Sequence, residues 1–134
     1  MITATLDKQL LITVDNRVGT LAEITKVVSS SGINLIAVCA YAFDNKGIIM
    51  FVSESNLLAK KLLTLKKYDV REEEIVLISV DNKPGTLQNL TEKIAEAGID
   101  LTLLYGSVDR KGKTSRLVIV SENNNAVLDV VKNI

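Results

Sequence analysis

The chain has 134 residues, of which 47% are apolar and 24% charged, and its sixteen basic residues balance sixteen acidic ones. That make-up is the ordinary one for a globular protein. A neutral chain with three Tyr and two Phe carries no electrostatic or stacking footprint for nucleic acid, and no apolar run reaches the length of a membrane span. The absence of His and the single Cys39 remove the common general base, the common metal ligand and any internal disulfide, so no cofactor and no metal are expected. The start, Met1-Ile2-Thr3-Ala4-Thr5-Leu6, lacks the basic and long apolar stretches of a signal peptide, which makes the cytoplasm the expected location.

From the N-terminus, Leu10, Ile12 and Val14 alternate with Gln9, Leu11 and Thr13, the period of a strand. The strand runs into Asp15-Asn16-Arg17-Val18-Gly19-Thr20, after which Leu21, Ile24, Val27 and Val28 recur at helical spacing. Thr20 with Glu23 predicts a capping box, and Gly32 a left-handed helix stop. The apolar run Leu35–Phe43, turn residues Asp44-Asn45-Lys46-Gly47 and an apolar run over 48–53 predict a hairpin. A second helix is expected near 57–65 and a short strand at 68–70. The charge run Arg71-Glu72-Glu73-Glu74 reads as a solvated linker.

The chain then repeats itself. Val14-Asp15-Asn16-Arg17-Val18-Gly19-Thr20-Leu21 returns 66 residues later as Val80-Asp81-Asn82-Lys83-Pro84-Gly85-Thr86-Leu87, and residues 9–35 share 12 identities with 75–101. Leu87, Leu90 and Ile94 repeat the helical face, Gly98 the stop, and Val120-Ser121-Glu122 matches Val52-Ser53-Glu54. Strands over 101–108 and 116–121 flank the charged turn Asp109-Arg110-Lys111-Gly112-Lys113, and a last helix is expected near 126–132. A period of this size sets the architecture: two units, 1–67 and 68–134, each strand-helix-strand-strand-helix plus a fourth strand. The second copy ends before its fourth strand, while residues 2–6 align with 68–72. The N-terminal segment is therefore expected to supply a strand, either as a hairpin on 9–14 or in the other half's sheet.

An antiparallel sheet with both helices on one face leaves the other face polar if it is solvated. Here Leu35–Phe43 and 48–52 are apolar at nearly every position, and Ile75 and Leu77 lie opposite Val76, Ile78 and Val80. A second copy of the chain is the simplest cover, so a homodimer is expected.

The strand-to-helix loop is the repeated motif with chemistry in it. Asn16 and Asn82 both donate and accept hydrogen bonds. Gly19 and Gly85 allow close approach or positive φ, and the helix start behind each loop has free N–H groups suited to a carboxylate. A molecule carrying both a carboxylate and an ammonium group fits such a place; a plain tight turn, in which Asn and Gly only satisfy geometry, accounts for the same residues. Arg17 and Lys83 sit at the loop rims. Cys39 is expected as a small buried hydrophobe, and Tyr41, Phe43 and Tyr105 as core or dimer packing.

The pattern Val-Asp-Asn-x-x-Gly-Thr-Leu, a helix, and then Gly32-Ile33-Asn34-Leu35 or Gly98-Ile99-Asp100-Leu101 resembles the ACT domain family. The resemblance covers nearly the whole chain as two tandem copies; the second is nearer the pattern because Pro84 precedes its Gly, where the first copy has Val18. It implies an α+β fold of two ferredoxin-like βαββαβ units pairing side by side. It also implies an amino-acid ligand held between two domains, against the loop of one and the second-strand start of the other. Carried over, the loops Asn16, Arg17, Val18, Gly19, Thr20, Leu21 and Asn82, Lys83, Pro84, Gly85, Thr86, Leu87 would face Asp100 and Asn34 respectively. Asn34 can donate or accept, whereas an ionised Asp100 only accepts, so the pocket of Asn82 and Asn34 is expected to bind more tightly.

The function expected is regulatory sensing of a free amino acid, read out by a separate enzyme. The alternative is an interaction subunit of such an enzyme that binds no small ligand. Without His or a carboxylate pair at readable spacing, no acid–base constellation assembles, so the chain is not expected to be an enzyme itself.

Overall fold

The computed structural model describes residues 2–107 and 111–134. The elements are β1 (Thr3–Asp15), α1 (Thr20–Ser29), β2 (Leu35–Phe43), β3 (Lys46–Ser53), α2 (Asn56–Leu65), β4 (Asp69–Asp81), α3 (Thr86–Glu96), β5 (Leu101–Ser107), β6 (Thr114–Ser121) and α4 (Asn124–Lys132). The βαββαβ pattern thus occurs twice, as the repeat requires. Of the charged turn expected at 109–113, Asp109 and Arg110 lie outside the described residues, as does Val108 at the end of the expected strand.

The chain divides into two compact units. The first is Lys8–Glu73; the second is Glu74–Ile134 together with the N-terminal segment through Asp7. Strand order is β2-β3-β1-β4 in the first and β5-β6-β4-β1 in the second, because β1 and β4 are each long enough to serve both units. Of the two placements open to the N-terminal strand, the structure adopts the second. Ile2 and Ala4 pack on the core of Val76, Ile78, Leu90, Ile94, Ile119 and Val127, and β1 continues through Asp7 without a hairpin.

Each core follows from strand and helix periodicity. In the first unit Leu10, Ile12, Ile49 and Phe51 from the sheet meet Ile24 and Val28 of α1 and Ala59 and Leu63 of α2, all 4% exposed or less. Tyr68 and Val70 pack against the same core. Leu21 and Leu87, expected on the buried faces, are instead 43% and 47% exposed. They lie in the first turn of their helices, at the edge of the core.

The run Arg71–Glu74 is a stretch of β4, not a linker. Its charges are accommodated by side chains from neighbouring elements. Glu72 pairs with Lys8 and Lys60, each at 3.4 Å, and Glu73 accepts a 2.7 Å bond from Nε2 of the buried Gln9. The β2–β3 hairpin closes through Asp44 and Asn45 at φ 53° and 63°, the paired positive dihedrals that match the twist of a two-residue turn.

On the sheet face opposite the helices, Met50 and Val52 in the first unit and Ile75 and Val118 in the second are buried. Tyr41 and Phe43 of β2 are not: they are 49% and 70% exposed, while Val38, paired with Phe51 and so on the helix face, is 50% exposed. The two aromatics are therefore not core residues of the chain. Cys39 is a free thiol, only partly buried where full burial was expected.

Candidate functional site

Each loop is held by the hairpin turn of its own unit. The Asn16 backbone N–H donates to the Asn45 carbonyl at 3.0 Å, and that of Asn82 to Lys113 at 2.8 Å. The Asn82 side chain adds a 3.0 Å bond from Nδ2 to the Gly112 carbonyl. One amide donor of Asn82 therefore anchors the turn.

Gly19 and Gly85 cap α1 and α3 at φ 90° and 89°. A Cβ built at either position would meet nothing within 4 Å, so the requirement for glycine is the left-handed backbone rather than space. No capping box forms at α1. Thr20 is already the first helical residue, and its hydroxyl donates back to the Arg17 carbonyl at 3.1 Å. Glu23 turns instead to Arg17, 3.8 Å away, and accepts a 3.0 Å bond from the Tyr68 hydroxyl. Desolvation, and then the bond to Glu23, push the Tyr68 phenol above its ordinary value.

The loops differ at their threonines. Thr86 Oγ1 is buried and has no hydrogen-bond partner among the described residues. It borders a cavity of about 440 Å³ lined also by Ile2, Asp81, Lys83, Pro84, Gly85, Asn89 and Ile134. The first unit's loop opens on about 200 Å³ between Asn16, Arg17, Thr20 and Leu21 and the strand residues Ala40, Tyr41 and Ile49. At that rim Lys46 donates to Asp15 at 2.7 Å and holds its carboxyl below the usual range. Val18 is fully exposed, and Leu87 and Pro84 are exposed beside their loop.

Asn34 and Asp100 lie at the other end of their units from the loops. Asn34 borders a cavity of about 400 Å³ with Thr25, Lys26, Ser29 and Leu35. Its carbonyl accepts from the Glu54 N–H. Asp100 is exposed, with its backbone N–H 3.5 Å from Glu122 Oε1.

The sequence reading missed a pair of structural asparagines. Asn56 Oδ1 accepts from the Ser53 N–H and hydroxyl at 3.0 and 2.7 Å, while its Nδ2 donates to the Lys8 carbonyl at 2.7 Å. Asn124 repeats this with Ser121 and Glu74. The signal was present: an Asn stands three residues after the repeated Ser in both copies.

A family model described as "ACT domain pair" matches residues 4–133. The chain belongs to the ACT domain pair family. Among solved structures it is similar to protein BT0572 from Bacteroides thetaiotaomicron, at 28% identity and a TM-score of 0.90, covering 97% of this chain and 89% of that one. It is also similar to the regulatory subunit of aspartate kinase from Thermus thermophilus in its ligand-free form, at 15% identity and a TM-score of 0.68, covering 97% and 95%. A putative C-terminal regulatory domain of aspartate kinase from Porphyromonas gingivalis shares the fold at 11% identity and a TM-score of 0.59, covering 99% and 96%. No curated protein matches the chain. ACT domain pairs are regulatory modules, and the aspartate kinase relatives named here are described as regulatory parts. Among the described residues no helix is long and apolar enough to cross a membrane, and no three His, Cys, Asp or Glu side chains cluster as a metal site.

Proposed function

We propose that this ACT domain pair is a regulatory sensor of a free amino acid, acting on a separate cytoplasmic enzyme and performing no catalysis itself. The observation that carries the reading is the repeated corner. In each unit a left-handed glycine ends the loop at a helix start, and a cavity opens beside it. Helix N–H groups at that corner suit a carboxylate. In the second unit Lys83 and the Thr86 hydroxyl, which has no partner among the described residues, add donors.

The fuller reading gives each ligand a second wall at a second-strand start, Asn34 or Asp100. Because Asn34 can either donate or accept, its site is the tighter of the two. Tyr41 and Phe43 are the natural seat for a second copy of the chain, giving a homodimer; a single monomeric species in sedimentation at micromolar concentration would contradict that assembly.

A thermal-unfolding screen against the twenty amino acids tests the reading. A ligand present at a hundred times its Kd stabilises by about 2.7 kcal/mol, so one or a few amino acids are expected to raise the midpoint clearly. No response to any of them at millimolar concentration sinks the proposal. With a ligand in hand, Asn34→Ala is expected to weaken binding more than Asp100→Ala.

A further inference from the structure

Helices α1 and α2 of the first unit leave an open groove of about 580 Å³ between them. The half-buried Val27 from α1, Leu62 from α2 and Tyr68 form its floor, and the exposed Leu65, Glu23, Lys26 and Lys66 its rim. Leu58, Leu62 and Leu65 fall at i, i+4 and i+7, one stripe of α2. Leu58 is 39% and Leu65 70% exposed.

The internal repeat supplies a control for what the fold itself demands. Helix α4 occupies the same place in the second unit, 68 residues on, and there Leu57, Leu58 and Leu65 are answered by Asn125, Ala126 and Asn133. On the first helix, Lys26, Val27 and Ser30 are answered by Glu92, Lys93 and Glu96. One fold is thus built twice: Leu62 keeps an apolar counterpart in Val130 and Lys66 is answered by Ile134, but the leucines that stand out on either side of Leu62 are not retained. Leu58 and Leu65 are thus not a requirement of the architecture, and a large apolar side chain left in water without structural need marks a contact surface.

Charge specifies the partner. Glu23 is held by Arg17 and by the Tyr68 hydroxyl, whereas neither Lys26 nor Lys66 has an ion pair among the described residues. The groove is therefore apolar at its floor and positive at its rim. Its stripe from Leu58 to Leu65 is about 10 Å long, two helical turns. We infer that this groove docks an amphipathic helix of a separate protein, with its leucine-type stripe on Val27, Leu62 and Leu65 and its acidic residues against Lys26 and Lys66. A trough between two helices receives a rod-shaped apolar face; a flat bilayer would reach the rim but not the floor.

The test uses two synthetic fourteen-residue peptides with the same leucine stripe, one with glutamates on its flanks and one with lysines, followed by fluorescence anisotropy on the full chain. The glutamate peptide is expected to bind at least roughly tenfold more tightly than the lysine peptide. Leu65→Asn, which installs the second unit's own residue at an exposed position, is expected to weaken it roughly tenfold with unchanged thermal unfolding. Lys26→Glu combined with Lys66→Glu is expected to reverse the peptide preference. Failure of the glutamate peptide to bind, equal binding of both, or indifference to Leu65→Asn overturns the proposal. So does a Leu65→Asn variant that dissolves a homodimer, which would assign the groove to a second copy. Loss of binding to phosphatidylglycerol vesicles in that variant, with no peptide binding, would assign it to a membrane and overturn the proposal as well.

Discussion

The Nδ2 of Asn124 donates to the main-chain carbonyl of Glu74 at 3.0 Å, fastening the start of α4 to the residue at which β4 enters its unit. Asn56 makes the equivalent bond to Lys8, the first residue of the other unit. Each asparagine also receives two bonds from the serine that ends the preceding strand.

Removing such a clip takes a side-chain partner from a main-chain carbonyl and from the N–H of the half-buried or buried serine. Unsatisfied groups of this kind cost about 1–3 kcal/mol. Asn124→Ala is expected to lower unfolding stability by about 2 kcal/mol in urea titration, with Asn56→Ala somewhat milder because Asn56 is less deeply buried. Losses below a few tenths of a kcal/mol at both sites would show the clips to be incidental.

Gly19 and Gly85 hold positive φ in open space. Substitution by Ala at either is expected to cost about 1–2 kcal/mol from backbone strain alone, while Asn, which tolerates that region, costs less. Equal stability of Gly85→Ala and Gly85→Asn in thermal unfolding would contradict a conformational role.

The two threonines predict opposite responses to one substitution. Thr20→Val deletes the bond to Arg17 and is expected to destabilise by about 1 kcal/mol. Thr86→Val removes a buried hydroxyl with no partner among the described residues, and is expected to be neutral or slightly stabilising in the absence of ligand. If Thr86 contributes to binding, the same variant loses the amino-acid-dependent rise in midpoint. A destabilised, ligand-responsive Thr86→Val would reverse both readings.

Glu72 is depressed below its ordinary value, chiefly by the charge of Lys60 and then by a hydrogen bond from Lys8. A depressed folded pKa means the stabilisation is present above the unfolded value and is lost as pH falls through the folded one. The stability difference between wild type and Glu72→Gln is thus expected to shrink on acidification below about pH 4.5 and to weaken with salt, since the group is exposed to solvent. A carbon-detected titration of the Glu72 carboxyl reports the shift directly; an unshifted midpoint would contradict the pairing.

The architecture was legible because duplication makes periodicity visible twice. Val14 to Leu21 and Val80 to Leu87 could be read as strand, turn and helix start from composition alone. Leu21 and Leu87 misled because helical spacing does not reveal where the sheet beneath a helix ends. Arg71–Glu74 read as a linker because its partners Lys8, Gln9 and Lys60 are remote in sequence. Asn82 looked like a ligand residue, yet one of its donors is spent on Gly112, a bond that no local pattern announces. The idle hydroxyl of Thr86 against the occupied one of Thr20 is likewise invisible in two identical Gly-Thr-Leu triplets.

The interleaved strands order events during synthesis. Lys8–Glu73 can complete its sheet as soon as β4 begins to emerge, but Ile2 and Ala4 belong with strands and helices that the ribosome has not yet made. At about 5–20 residues per second, the leading segment waits several seconds with its apolar side chains unclaimed. A pause before α3 would lengthen that interval and leave Ile2 and Ala4 open to wrong contacts.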